Sequence, residues 1–310
     1  MTTNKKRINT LILMRSKLCL FLIILSSSVV EAASYREKYA SVLNHYQQIA
    51  DHEKYDAALY LIDYMEGHRS PSGNGIKHYL QAIKEFKPRT DIGKLSKAWK
   101  DIHIEEETHM VSDSSLVNCD LLIKNIDEAF YSWKASPWKE HVSFKLFCEY
   151  ILPYKVSDEY ICPDWRVQLR EAYQSKIEGV RDIKSAFSII RREVLNNVRS
   201  SNTFTPYNLD PLSYEHIQRA NCNQRCILLA SVLRALAIPA AIDAVPFGAD
   251  YSTMGHSWVA LVLGEGATYT IYEDENTPKQ NNRIDASVFL TDNASFDTSC
   301  FPFQIKNEKK

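Results

Sequence analysis

One stretch constrains the fold more than any other: a helix-patterned run from Asn221 to Leu236, then Ile238-Pro239, then short β-rich runs. Positions 222, 226, 229, 233 and 236 fall on one helical face and are all apolar or thiol, so that face is buried. Asn221 stands directly before the run, where an N-cap belongs. After Pro239, residues 241–245, 257–263 and 269–273 are rich in β-formers. One helix followed by strands predicts an α+β core.

Upstream the pattern is helical. Tyr35, Tyr39, Val42, Leu43, Tyr46 and Ile49 recur at helical spacing, and Tyr55, Leu59, Ile62 and Met65 continue it. Residues 67–75 are dense in turn formers and predict a break. Ile76, Tyr79, Leu80, Ile83 and Phe86 mark a further helix closed at Pro88. Leu122, Ile126, Ala129, Phe130 and Trp133 repeat the stripe, as do Ile183, Phe187, Ile190, Val194 and Val198. These stripes read as core rather than as sugar- or peptide-binding platforms, because helical spacing is itself a sign of burial. The run Glu105-Glu106-Glu107 reads as a solvated face. Pro206, Asp210 and Pro211 punctuate a loop before the helix at Asn221. The expected organisation is a leader at 1–33, a helical region at 34–205, and a core with its tail at 206–310.

The leader is a secretory signal by its order. Lys5, Lys6, Arg7, Arg15 and Lys17 precede an apolar run at 18–25, and small residues lead to a cleavage point near Ala32 or Ala33. The apolar run is far shorter than the roughly 20 residues of a spanning helix. The expected location is therefore outside the cytoplasm, periplasmic or at the cell envelope. Of seven cysteines, Cys19 leaves with the leader, and Cys119, Cys148, Cys162, Cys222, Cys226 and Cys300 enter an oxidising compartment. Their spacing does not fix a pairing. Lys and Arg total 37 against 38 Asp and Glu, which leaves no electrostatic footprint for nucleic acid.

Chemistry concentrates around Cys222. A thiolate in the first turn of a helix meets the positive end of the dipole and open backbone N–H groups, which lower its pKa. The same N–H groups can stabilise an oxyanion. His256 comes 34 residues later, at the head of a strand-like run, where it can take the thiol proton. Glu273 and Asp274 end the next β-rich run, and a carboxylate there can hold the second imidazole nitrogen.

These residues resemble the transglutaminase-like superfamily of papain-related cysteine enzymes. Cys222 leads into Val232-Leu233-Arg234 and then Ala235-Leu236-Ala237-Ile238-Pro239, where the family usually has glycine at the position of Ala237. His256-Ser257-Trp258 matches the family's histidine followed by an aromatic. Phe147-Cys148-Glu149-Tyr150-Ile151-Leu152-Pro153-Tyr154, with Ala241-Ile242-Asp243, is similar to exported members from Bacteroidetes-type bacteria. The resemblance covers about residues 215–280 and reaches upstream to about 147. It implies a nucleophile helix packed on a small antiparallel sheet, a Cys-His-acid triad, and no metal or organic cofactor. The implied partner is a peptide or protein substrate. The family's usual acid is an aspartate in an Asp-Pro-Thr-like turn; here Glu273 fits the register first and Asp274 second.

The expected function is thus a thiol hydrolase or acyltransferase acting on amide bonds. The alternative is a catalytically silent module of the same type that captures peptide or glycan. Cys222 can also be read as half of a disulfide, and Cys226 as a structural thiol. A zinc site from Cys222, Cys226 and His256 lacks an evident fourth ligand. Arg234 is expected to snorkel from the helix end. Trp165 either packs the helical region or shapes a substrate cleft. Asp243 either caps a turn or binds a substrate amine.

Overall fold

The computed structural model describes residues 35–102, 104–202, 204–245, 256–264 and 267–270. They form an α+β fold with one continuous apolar core, running from Tyr39 to Val262. The expected leader and the 271–310 tail, with Cys300, lie outside the described residues.

The first half is helical where the stripes predict it, in α1 (Ala40–Gln48), α2 (His52–Asp63), α3 (Asn74–Ile83) and α6 (Cys119–Ala135), and also outside the stripes, in α4 (Ile92–Asp101) and α5 (Ile104–Glu107). Tyr39, Val42 and Tyr46 bury one face of the first stripe, while Ile49 is 56% exposed and lies beyond the helix. The predicted break at 67–75 is different. It holds a strand, β1 (Arg69–Ser72), paired antiparallel with β2 (His109–Ser112). Turn formers do not forbid a short strand when a partner strand and a buried anchor fix it. The anchor is Ser70, whose hydroxyl donates to Asp113 Oδ1 at 2.7 Å.

That aspartate centres a buried network. Tyr154 OH donates to Asp113 Oδ2 at 2.9 Å, and Lys155 Nζ lies 2.6 Å from the same oxygen, with both charged groups nearly inaccessible. The ammonium spends its other protons on Ser70 Oγ and Arg69 O, each at 2.9 Å. The network ties the 154–155 segment to β1 and the turn after β2.

After α6 come α7 (Phe144–Tyr150), α8 (Trp165–Tyr173), α9 (Ile183–Asn197), the bridge strand β3 (Arg199–Ser200) and α10 (Pro211–Ile217). The last replaces the loop expected there. Asp210 accepts from Ser213 N, and Pro211 opens the helix, where its missing N–H costs nothing. Strand β4 (Arg219–Ala220) pairs in parallel with β3 and leads directly into α11 (Cys222–Ala235).

Helix α11 is the centre of the molecule. Helices α6, α8, α9 and α10 pack on it, and so do β5 (Ala240–Val245) and β6 (His256–Gly264). Every residue from Cys226 to Ala235 is buried, so the one-sided burial expected of this helix becomes burial all round. Its interior leucines, isoleucine and valine each contribute about 1.5–3 kcal/mol by leaving water. The sheet is completed by β7 (Ala267–Tyr269), in the order β5-β6-β7, all antiparallel. The run expected at 269–273 meets this strand only at Tyr269; Thr270 is outside it, and the rest from 271 lies outside the described residues.

All-round burial decides the fate of Arg234. It does not snorkel: it is fully buried, donating to Ala240 O and Lys155 O at 3.0–3.2 Å. The helix end faces a loop instead of water, and the fork satisfies carbonyls that would otherwise be orphaned. Arg166 does the same for Ile151, Pro153 and Arg234 carbonyls at 2.9–3.1 Å. Burial, with the Arg234 and Arg170 cations nearby, pushes Arg166 down to about 9. The segment after Phe147 is therefore clamped to the rear of α11, about 18 Å along the axis from Cys222.

The helix stops in a Schellman arrangement. Ala237 N donates to Arg234 O at 3.1 Å and Ile238 N to Leu233 O at 2.8 Å, with Ala237 at φ +57°. A left-handed residue explains why glycine suits this position and why alanine is strained there. Ala237→Gly is expected to raise stability by about 0.5–1 kcal/mol in urea unfolding. A loss of stability would show that the Ala237 methyl packs well enough to offset its strain.

Candidate functional site

The front end of α11 is built by a capping box. Asn221 Oδ1 accepts from Gln224 N at 2.9 Å, and Gln224 Oε1 accepts from Asn221 N at 3.0 Å. The spacing Asn221-x-x-Gln224 is the sequence signal for this box; Gln224, 1% exposed, is the member the apolar helix pattern conceals. Cys222 is the first helical residue and is half-buried, whereas Cys226 one turn on is buried. No disulfide joins any two of Cys119, Cys148, Cys162, Cys222 and Cys226.

The strands fix where His256 falls. At the rear of α11, Arg234 bonds Ala240 O, and Val262 N donates to Pro239 O at 3.0 Å. The start of β5 and the end of β6 therefore meet the C-terminal end of the helix. The ladder then runs to its other end, where Val245 pairs with His256. Helix α11 packs on both β5 and β6, and the helix and the ladder are each about 20 Å long. His256 therefore stands at the end of the ladder opposite the one that meets Arg234 and Pro239. Glu273 and Asp274 are outside the described residues.

Compared with known proteins, the chain matches no family model, no curated sequence and no solved structure.

Asp243 does not cap a turn. It sits inside β5, opposite Trp258 on β6, and is 4% exposed. Burial pushes its carboxyl up to about 7, against a hydrogen bond from the Trp258 side chain that pulls it down. Its Oδ1 is buried with no hydrogen-bond partner. Trp165 opens α8, is buried, and donates to Tyr154 O at 2.8 Å, so it packs the helical layer.

A second helix repeats the local design. Asn118 caps α6 by accepting from Leu121 N at 2.8 Å, and Cys119 follows as the first helical residue, half-buried. Its Sγ accepts from Ser41 Oγ at 3.0 Å. The repeated Asn-Cys pair is plain in the sequence, and only the structure shows both at helix starts. The remaining thiols differ: burial pushes Cys148 and Cys162 each up to about 12.

Two cavities are lined by described residues away from Cys222. One of about 590 Å³ opens between α3, α10 and the 160–164 segment, with Lys77, Lys84, Asp164 and His216 on its walls. Another, of about 340 Å³, touches Ala235 and Leu236 at the rear of α11. Among the described residues no cluster of His, Cys, Asp or Glu is arranged to hold a metal ion.

Proposed function

We propose that the protein is an exported thiol hydrolase of transglutaminase-like type, cleaving amide bonds of peptides or proteins. What carries the reading is a half-exposed thiol on the first turn of a capped helix, and that helix packs on the strand that His256 opens. In the proposed reaction Cys222 Sγ attacks the substrate carbonyl carbon, forming a C–S bond. Its proton passes to His256 and then to the departing nitrogen as the C–N bond breaks. Water, deprotonated by His256, attacks the thioester; the carboxylic acid leaves and the thiol is restored. The N–H groups of Cys222 and Asn223 are not part of the capping box and lie in the first turn, where an oxyanion would be received. The resemblance to the family names Glu273 or Asp274 as the acid for the imidazole.

Alkylation by iodoacetamide at pH 7, followed by peptide mapping, tests the reading. Cys119 is the internal control, because it shares the capped helix start and lies on a different helix. Cys222 should react at least about tenfold faster than Cys119, and His256→Ala should erase the difference. Equal rates at the two sites would remove the nucleophile and leave a module that binds peptide or glycan without turnover.

A further inference from the structure

The antiparallel register pairs Asp243 with Trp258 and Val245 with His256. Position 256 is therefore the diagonal neighbour of Asp243, on the same face of the sheet because the two differ by an even step. Diagonal neighbours stand about 7–8 Å apart at Cα, within the combined reach of a carboxylate and an imidazole. The carboxyl is 4% exposed, is held on one side by the Trp258 side chain, and leaves Oδ1 unpartnered. On the other diagonal stands Ala260, which offers no donor. The Arg234 guanidinium, near the start of β5, is committed to the carbonyls of Ala240 and Lys155.

From this register and the orphaned oxygen we infer that Asp243 is a positioning residue for His256, its free oxygen serving as the acceptor for an imidazole N–H. The inference rests on the proposed role of His256 and differs from it in the acid it names: a carboxylate from the strand before the histidine, rather than Glu273 or Asp274 from the strand after. A buried carboxyl drawn toward neutrality holds its charge at pH 7 when a cation completes it, and an imidazolium at Oδ1 is such a cation. Trp258 then has a role beyond packing, since its bond to the carboxyl fixes which way the second oxygen turns.

The test is the titration of His256 by NMR of its ring C–H, identified by its loss in His256→Gln. It is carried out in a Cys222→Ala background so that no thiolate contributes. His256 should titrate about one unit or more above the ordinary histidine value, and Asp243→Asn should bring it back. Glu273→Gln with Asp274→Asn should leave the raised value in place, which keeps the proposal testable if Asp243→Asn does not fold. An unraised value, or a raised one that survives Asp243→Asn or is lost in the Glu273/Asp274 variant, overturns it. Alkylation of Cys222 is read separately, so loss of selective labelling would sink the enzyme and not this pair.

Discussion

Lys155→Met is expected to destabilise the protein by about 3–5 kcal/mol, lowering its melting temperature on the order of 10 °C. Asp113 is fully buried, and Lys155 is the cation that faces it, at 2.6 Å. Methionine fills nearly the same volume, so the loss is electrostatic rather than a cavity. The carboxylate keeps its bonds from Ser70 and Tyr154 but loses the charge that offsets its desolvation. Two further acceptors, Arg69 O and Ser70 Oγ, lose a donor as well. Adding Asp113→Asn should recover more than half of the loss, since a neutral amide needs no counter-charge. Urea or thermal unfolding of the single and double variants decides it. A cost below about 1 kcal/mol for Lys155→Met would mean that the pair is solvated and the network carries little.

Cys222→Ala is expected to lower hydrolysis of a mixed peptide library by at least about 10⁴-fold. The argument is chemical: Cys222 starts the helix that packs on the strand opened by His256. Cys148 and Cys162 stay protonated at neutral pH because burial holds them near 12, and Cys119 starts a helix remote from the β5-β6 ladder in the order of elements. An alanine at the first helical position leaves the Asn221–Gln224 box intact, so the fold should persist while turnover disappears. Mass spectrometry of the digest, with wild type and variant at equal concentration, provides the comparison. Cleavage that persists in the alanine variant would place the chemistry elsewhere, and no cleavage by either protein would favour the binding module.

Much of this architecture is legible before any fold is known. The stripes from Tyr39 to Val198 become helices because apolar side chains at helical spacing can be buried only on a helix face. The start of α11 is legible to the residue, since an Asn cap acts on N–H groups three positions away and needs nothing distant. The same locality makes β5 and β6 readable from β-rich runs after Ile238-Pro239.

What the tertiary structure alone decided concerns polar groups whose partners are remote in sequence. Arg234 and Arg166 look like surface residues by type, and each is buried because carbonyls of a loop some 70–80 residues away, or of the facing helix end, take its protons. Residues 69–72 read as a turn and form a strand because Asp113 and Lys155 reach Ser70. Asp243 reads as a turn cap or an amine-binding residue and lies inside a ladder opposite Trp258. Local pattern determines which segments are helix or strand, because backbone hydrogen bonds and side-chain periodicity act over a few residues. It does not determine which charge will be buried, because the desolvation cost is offset only by groups that folding brings from elsewhere.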